Sequence, residues 1–168
     1  MSSSKKLSHL DETGSSTMVD ISDKQATDRR AEASCRILLN STSYDIVKNN
    51  KAKKGNVLEV ARIAGIMAGK KTAELIPLCH QINLSSIGII FTLSESEQSL
   101  LVSGRASTTD KTGVEMEALV ATSVASLTVY DMLKSVDKNI KITDIVLDFK
   151  DGGKSGTFIR EKSSSDKL

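Results

Sequence analysis

Thirteen consecutive residues, "ALVATSVASLTVY" (118–130), carry no charge. They sit inside "TGVEMEALVATSVASLTVYDMLKSV" (112–136), which has no proline and the length of a helix. A helix that covers a sheet in a monomer keeps a polar side toward water. This one has almost nothing to put there, and burial between subunits is the simplest explanation, so the chain is expected to form an oligomer. On a wheel of about 100° per residue, Ala118, Ala121 and Ala125 share a stripe, as do Ala61, Ala64, Gly65 and Ala68 of an earlier segment. Such small stripes let two backbones approach closely.

The neighbouring segments supply the rest of the fold. "AEASCRILLN" (31–40) reads as a strand, although periodicity alone leaves helix open. The polar connection "NNKAKKGN" follows, with Asn56 placed to cap a helix over 57–75 that Pro77 helps to stop. Two β-like runs, 84–95 and 99–108, flank the turn "SEQ" and predict a hairpin. Thr112 and Glu115 have capping-box spacing at the start of the second helix. In "NIKITDIVLDFK" (139–150) the apolar alternation slips by one residue after Ile142, which predicts a bulge. The order β-α-β-β-α-β predicts an α+β, ferredoxin-like fold, an antiparallel sheet with two main helices on one face. One domain over 17–158 is expected, between polar, mobile tails at 1–16 and 159–168.

Composition narrows the function classes. The chain has no Trp, two Tyr and three Phe, too few for a base-stacking platform on single-stranded nucleic acid. Its net charge of +2 points to neither nucleic acid nor an anionic membrane. It contains no eighteen-residue apolar run, so no transmembrane helix is expected. Two cysteines without a disulfide-like framework suggest a reducing compartment, the cytoplasm by default or an organelle if a transit peptide has been removed.

Three groups could carry chemistry. "IPLCH" (76–80) joins the only proline to Cys79 and His80. A zinc clip is disfavoured, because the chain has only four Cys and His residues and His9 lies in a tail. Adjacent side chains point apart along an extended chain, which weakens a thiol–imidazole pair. A buried Cys79 beside a satisfied His80 is the bland reading, and Pro77 stiffening an aimed imidazole is the functional one. Glu115 and Glu117 lie in the first turn of the second helix, where the dipole favours carboxylates. Asp131 and Lys134 lie three apart at its far end, as plain salt bridges do. Glu117 and Asp131 are about 21 Å apart on a straight helix. They cannot both touch one reacting atom, so either the substrate is long or different subunits supply the two ends. Lys51, Lys53, Lys54, Lys70 and Lys71 read as a solvated face, although Lys54 precedes a helix N-terminus, a natural anion site. "DGGKSG" (151–156) is not a Walker motif, but its turn and Lys154 could cradle a phosphate.

"MVDIS-K" (18–24), "KGNV" (54–57), "ARIAGIMAGK" (61–70), "LIPLCH" (75–80), "KTGVEMEAL" (111–119), "LTVYDMLK" (127–134) and "GGKSG" (152–156) occur in this order. Together they resemble the molybdenum cofactor biosynthesis protein C family, the cyclic pyranopterin monophosphate synthases. The likeness runs from about His9 to Gly156. It implies a lyase that converts 3′,8-cyclo-7,8-dihydroguanosine 5′-triphosphate to cyclic pyranopterin monophosphate and pyrophosphate. It further implies a ferredoxin-like fold, a homohexamer built as a trimer of dimers with sites at subunit interfaces, and a radical S-adenosylmethionine GTP cyclase as pathway partner.

By motif, the resemblance makes Asp131, Lys134 and Lys54 catalytic, and Leu78, Cys79, His80, Met116, Glu117 and Glu115 substrate-binding. Either Arg29 or Arg30 would contact phosphate. Gln81 stands where many relatives have proline. No cofactor or resident metal is implied, with a divalent ion on the triphosphate left open, and neither nucleic acid nor membrane is an expected partner. The alternative is a non-catalytic ferredoxin-like module that binds nucleotides or RNA through its lysines, with binding that falls steeply in salt.

Overall fold

A computed structural model describes residues 13–161. Residues 1–12 and 162–168, the outer parts of the two expected tails, lie outside the described residues, as does His9. The elements in chain order are β1 (Thr27–Leu38), α1 (Ser41–Lys48), α2 (Val57–Gly69), α3 (Thr72–Leu75), β2 (Ser86–Ser94), β3 (Ser99–Asp110), α4 (Glu115–Leu133), β4 (Lys141–Asp151) and β5 (Phe158–Ile159). The strands form an antiparallel sheet in the order β2-β3-β1-β4-β5. This is the expected α+β, ferredoxin-like arrangement, with β1-α2-β2-β3-α4-β4 as its βαββαβ core.

Strand parity sets the layers. Ala31, Ala33, Cys35 and Ile37 of β1 are buried toward the helices. On the opposite face Glu32 pairs with Arg105 at 3.2 Å and Arg36 with Glu97 at 2.6 Å. The alternation in β4 is broken where expected: its register against β1 shifts between Ser34 and Arg36, opposite Asp144, whose φ is 55°. A second shift, between Glu32 and Ala33, skips Asp148. The β2–β3 hairpin closes at Ser94 and Ser99, with Gln98 at a φ of 47°.

Helix α4 packs on β1, β3 and β4, and α2 packs on α4. From Ala118 to Tyr130 only Leu127 is exposed. Much of the uncharged stretch is therefore covered inside the subunit itself. Its hydroxyls are satisfied by the helix itself: Thr122, Ser123, Ser126 and Thr128 each donate to the carbonyl four residues back, at 2.8–2.9 Å. The small stripes meet as expected, with Ala61, Gly65, Ala121 and Ala125 all buried. A Cβ at Gly65 would lie 2.7 Å from the Ala121 carbonyl oxygen, so the two backbones touch at that point.

Four local expectations are corrected. Residues 41–48, unassigned in the sequence, form α1, capped by Asn40, whose side chain accepts from Ser43 N at 2.8 Å. The predicted helix over 57–75 stops at Gly69, where the Thr72 hydroxyl takes the Gly69 carbonyl at 2.9 Å, and α3 starts separately. The Asn56 cap does form, to Glu59 N at 3.1 Å. The Thr112–Glu115 capping box does not: the residue before α4 is Val114, without a side-chain cap, and Glu115 reaches Lys150 instead. Ile159, the first residue of the expected C-terminal tail, belongs to β5.

Candidate functional site

Pro77 occupies the second position of a tight turn, closed by Cys79 N donating to the Ile76 carbonyl at 3.1 Å. The turn forms one wall of a mostly apolar cavity of about 710 Å³. Ile76, Leu78, Cys79, His80 and Ile82 line that wall, and Met116 and Glu117 face them from the first turn of α4. Glu117 is only 3% exposed. Burial pushes its carboxyl above the ordinary range, its own backbone N–H pulls it back, and the charge of Glu115 adds to the rise. Burial, and then the charge of Glu117, push the Cys79 thiol up as well. A thiol raised in this way is a poor nucleophile.

A second, polar cavity of about 250 Å³ adjoins the first. The two share Thr112, Gly113 and Glu115 as lining residues. Lys24, Arg29, Arg30, Lys111 and Lys150 bring five cationic side chains to it. Glu115 and Lys150 are joined at 3.0 Å on the shared wall. Arg29 donates through Nε to the Asp110 carbonyl at 3.3 Å and through Nη2 to the Lys111 carbonyl at 3.5 Å.

Sequence reasoning did not find Lys24, Lys111 or Lys150, and it expected Lys154, which does not line the cavity. No spacing signals them. They converge because the sheet order β3-β1-β4 brings the end of β3, the start of β1 and the end of β4 together.

Residues 18–24 cross the rim of this double cavity. His80 Nε2 lies 2.7 Å from the Val19 carbonyl, so that nitrogen carries the proton. Lys111 Nζ donates to the Ser22 carbonyl at 2.7 Å, and the Asp20 carboxylate accepts from Ser22 N at 2.8 Å. Ser16, just before this stretch, lines the apolar cavity and Lys24, at its end, lines the polar one.

The remaining predicted residues stand apart. Lys134 Nζ lies 2.7 Å from Asp131 Oδ1, and Lys54 Nζ lies 3.7 Å from Asp131 Oδ2 and 3.0 Å from the Asp131 carbonyl. The hydrogen bond and charge of Lys134, followed by the charge of Lys54, hold the Asp131 carboxyl below the usual range. All three side chains are about half exposed. Glu117 and Asp131 belong to one unbroken helix, fourteen residues and about 21 Å apart. Within one chain the predicted site residues thus form two clusters, Leu78–His80 with Glu115–Glu117 at one end of α4 and Lys54–Asp131–Lys134 at the other.

Among the described residues no group of three or more His, Cys, Asp or Glu side chains is arranged to hold a metal ion. Chemically, the double cavity offers an apolar slot with one buried carboxyl, continuous with a cationic recess. Such a shape suits a flat heterocycle joined to a polyanion.

The model of the MoaC family matches residues 18–153. A cyclic pyranopterin monophosphate synthase of Heliobacterium modesticaldum is 51% identical over 156 residues, covering 93% of this chain and 98% of the relative. Synthases of the same name from Campylobacter jejuni and Thermomicrobium roseum are 51% and 49% identical, over 92% and 93% of this chain and 99% and 94% of their own lengths.

Proposed function

The chain belongs to the MoaC family, and from that membership we propose how its surfaces carry out the reaction of a cyclic pyranopterin monophosphate synthase. The substrate is a GTP-derived, 3′,8-cyclised dihydroguanosine triphosphate, and the products are cyclic pyranopterin monophosphate and pyrophosphate. One observation carries the assignment of parts: an apolar cavity opens into a cationic one across the shared Thr112, Gly113 and Glu115. The base occupies the first, between the Leu78–His80 turn and Met116–Glu117. The triphosphate occupies the second, against Arg29, Lys111 and Lys150. Cations there offset the charge that develops as a cyclic phosphate closes and pyrophosphate leaves.

Opening the purine ring and rebuilding it as a pyranopterin requires several proton transfers, hence a carboxylate and lysines in company. Lys54, Asp131 and Lys134 form such a group. They lie too far along α4 to serve the cavity of their own chain, so a second copy supplies them. Val60, Ile63 and Met67 support this arrangement: they leave an apolar stripe exposed on the outer face of α2, at helical spacing. A homohexamer, built as a trimer of dimers, is the assembly we propose. A radical S-adenosylmethionine GTP cyclase would supply the substrate, in the cytoplasm.

Incubation of the full chain with the 3′,8-cyclised GTP tests the function. Stoichiometric cyclic pyranopterin and pyrophosphate are expected, and absence of conversion would refute it.

A further inference from the structure

The turn between β4 and β5, "DGGKSG" (151–156), holds three glycines that the proposed chemistry leaves without a role. Gly152, Gly153 and Gly156 have φ values of 90°, 80° and 69°, the left-handed region that disfavours a Cβ. Their surroundings differ. A Cβ at Gly152 would overlap the backbone carbonyl of Asp28, and one at Gly153 would overlap Nη1 of Arg29, whereas Gly156 faces open space. The turn is therefore pressed against the start of β1, and at Gly153 it meets the guanidinium itself.

On its other side the same guanidinium is tied to β3 through the Asp110 and Lys111 carbonyls. Among the described residues these two carbonyls take two of its five N–H groups, and the side chain lines the cationic cavity. The guanidinium is thus held between two carbonyls and a turn with no side chain at the point of contact. We infer that Gly153 is a positioning residue for Arg29: its missing side chain lets the guanidinium lie in the cationic cavity, aimed at the triphosphate. This rests on the reading of that cavity as the triphosphate site. A methyl group at position 153 displaces the mobile end of a long side chain. At Gly152 it would meet backbone, and the cost would fall on the fold.

The test is calorimetric titration of the full chain with inorganic tripolyphosphate, in wild type, Arg29→Ala, Gly153→Ala, Gly156→Ala and the Arg29→Ala/Gly153→Ala double variant. Arg29→Ala is expected to weaken binding about tenfold or more, the loss typical of a hydrogen bond to a charged group. Gly153→Ala should approach that loss, and the double variant should be no weaker than Arg29→Ala alone, because both changes remove one interaction. Gly156→Ala imposes the same left-handed strain without touching the guanidinium, and its affinity should stay within about twofold of wild type. With substrate, Gly153→Ala should raise KM more than it lowers kcat. Wild-type affinity in Gly153→Ala beside a weakened Arg29→Ala would overturn the inference, as would a double variant in which the losses add. Wild-type affinity in Arg29→Ala would instead remove the triphosphate reading on which the inference stands.

Discussion

Lys150 Nζ lies 3.0 Å from Glu115 Oε1, tying the end of β4 to the first turn of α4 on the wall shared by the two cavities. The carboxylate with capping-box spacing is paired instead with a lysine that lines the cationic recess. Lys150→Ala is expected to weaken tripolyphosphate binding about tenfold, as loss of a charge-assisted contact does. Glu115→Gln removes a negative charge from the same wall and should bind the anion at least as well as wild type. Calorimetry compares the two, and a weaker Glu115→Gln would show that the ion pair positions Lys150 for the anion.

Asp131 is held ionised by Lys134 and Lys54 on the surface of the folded chain, not by burial. Asp131→Asn and Lys134→Ala should therefore keep wild-type melting behaviour and oligomeric state while product formation falls by about two orders of magnitude or more, the scale of a lost proton-transfer group. The direction of the Asp131 shift predicts that the acid limb of the rate profile reports this group only below its ordinary value. Near-normal turnover in either variant would remove these residues from the chemistry.

Glu117 behaves in the opposite sense. Its folded-state pKa is raised above the ordinary value near 4.5, so the native state holds this proton more tightly than the unfolded chain. The stability it contributes is present below that value and is lost as pH rises through the folded pKa. Glu117→Gln should accordingly melt above wild type at neutral pH, and the two should converge at about pH 4. Melting curves across this interval check it, and a Gln variant that melts lower at neutral pH would contradict a carboxylate penalised by burial.

The apolar stripe on α2 gives a separate prediction. Ile63 and Met67 are each 57% exposed one turn apart. Ile63→Asp with Met67→Glu should place two charges in the proposed subunit contact and reduce the particle mass measured by light scattering. Activity should fall with assembly, because in the proposed arrangement a second copy supplies Lys54, Asp131 and Lys134 to the cavity. Full activity in a monomer would show that a single chain suffices.

His80 binds the chain's own Val19 carbonyl through Nε2. His80→Ala is expected to raise hydrogen exchange of the amides of residues 18–24, with Lys111→Met producing a similar effect near Ser22. Unchanged exchange in both would mean that these bonds do not hold the segment down.

Much of the fold was legible in the sequence because it is written in short-range chemistry. The run 31–40 read as a strand and lies largely in β1, the slip after Ile142 located a bulge in β4, and the alanine and glycine stripes marked faces able to approach another backbone closely, as α2 and α4 do. The capping box misled because its two residues obeyed the spacing while a distant lysine claimed the glutamate. The Pro77–His80 turn was likewise readable, since proline fixes its own φ. Its companions across the cavity, Met116 and Glu117, came from the family resemblance.

The cationic recess was different. Lys24, Lys111 and Lys150 are scattered over more than a hundred residues, and no spacing marks them for one site. Only the lateral order of the strands, a consequence of long-range pairing, brings them to one place. The charge-free helix shows the same division: its sequence required burial, and the tertiary structure decided that its own sheet and α2 provide most of it. Local patterns fix what each segment can become, because backbone geometry and apolar periodicity act over a few residues. Which side chains share a site depends on contacts between segments far apart in the chain, and only the folded structure resolves them.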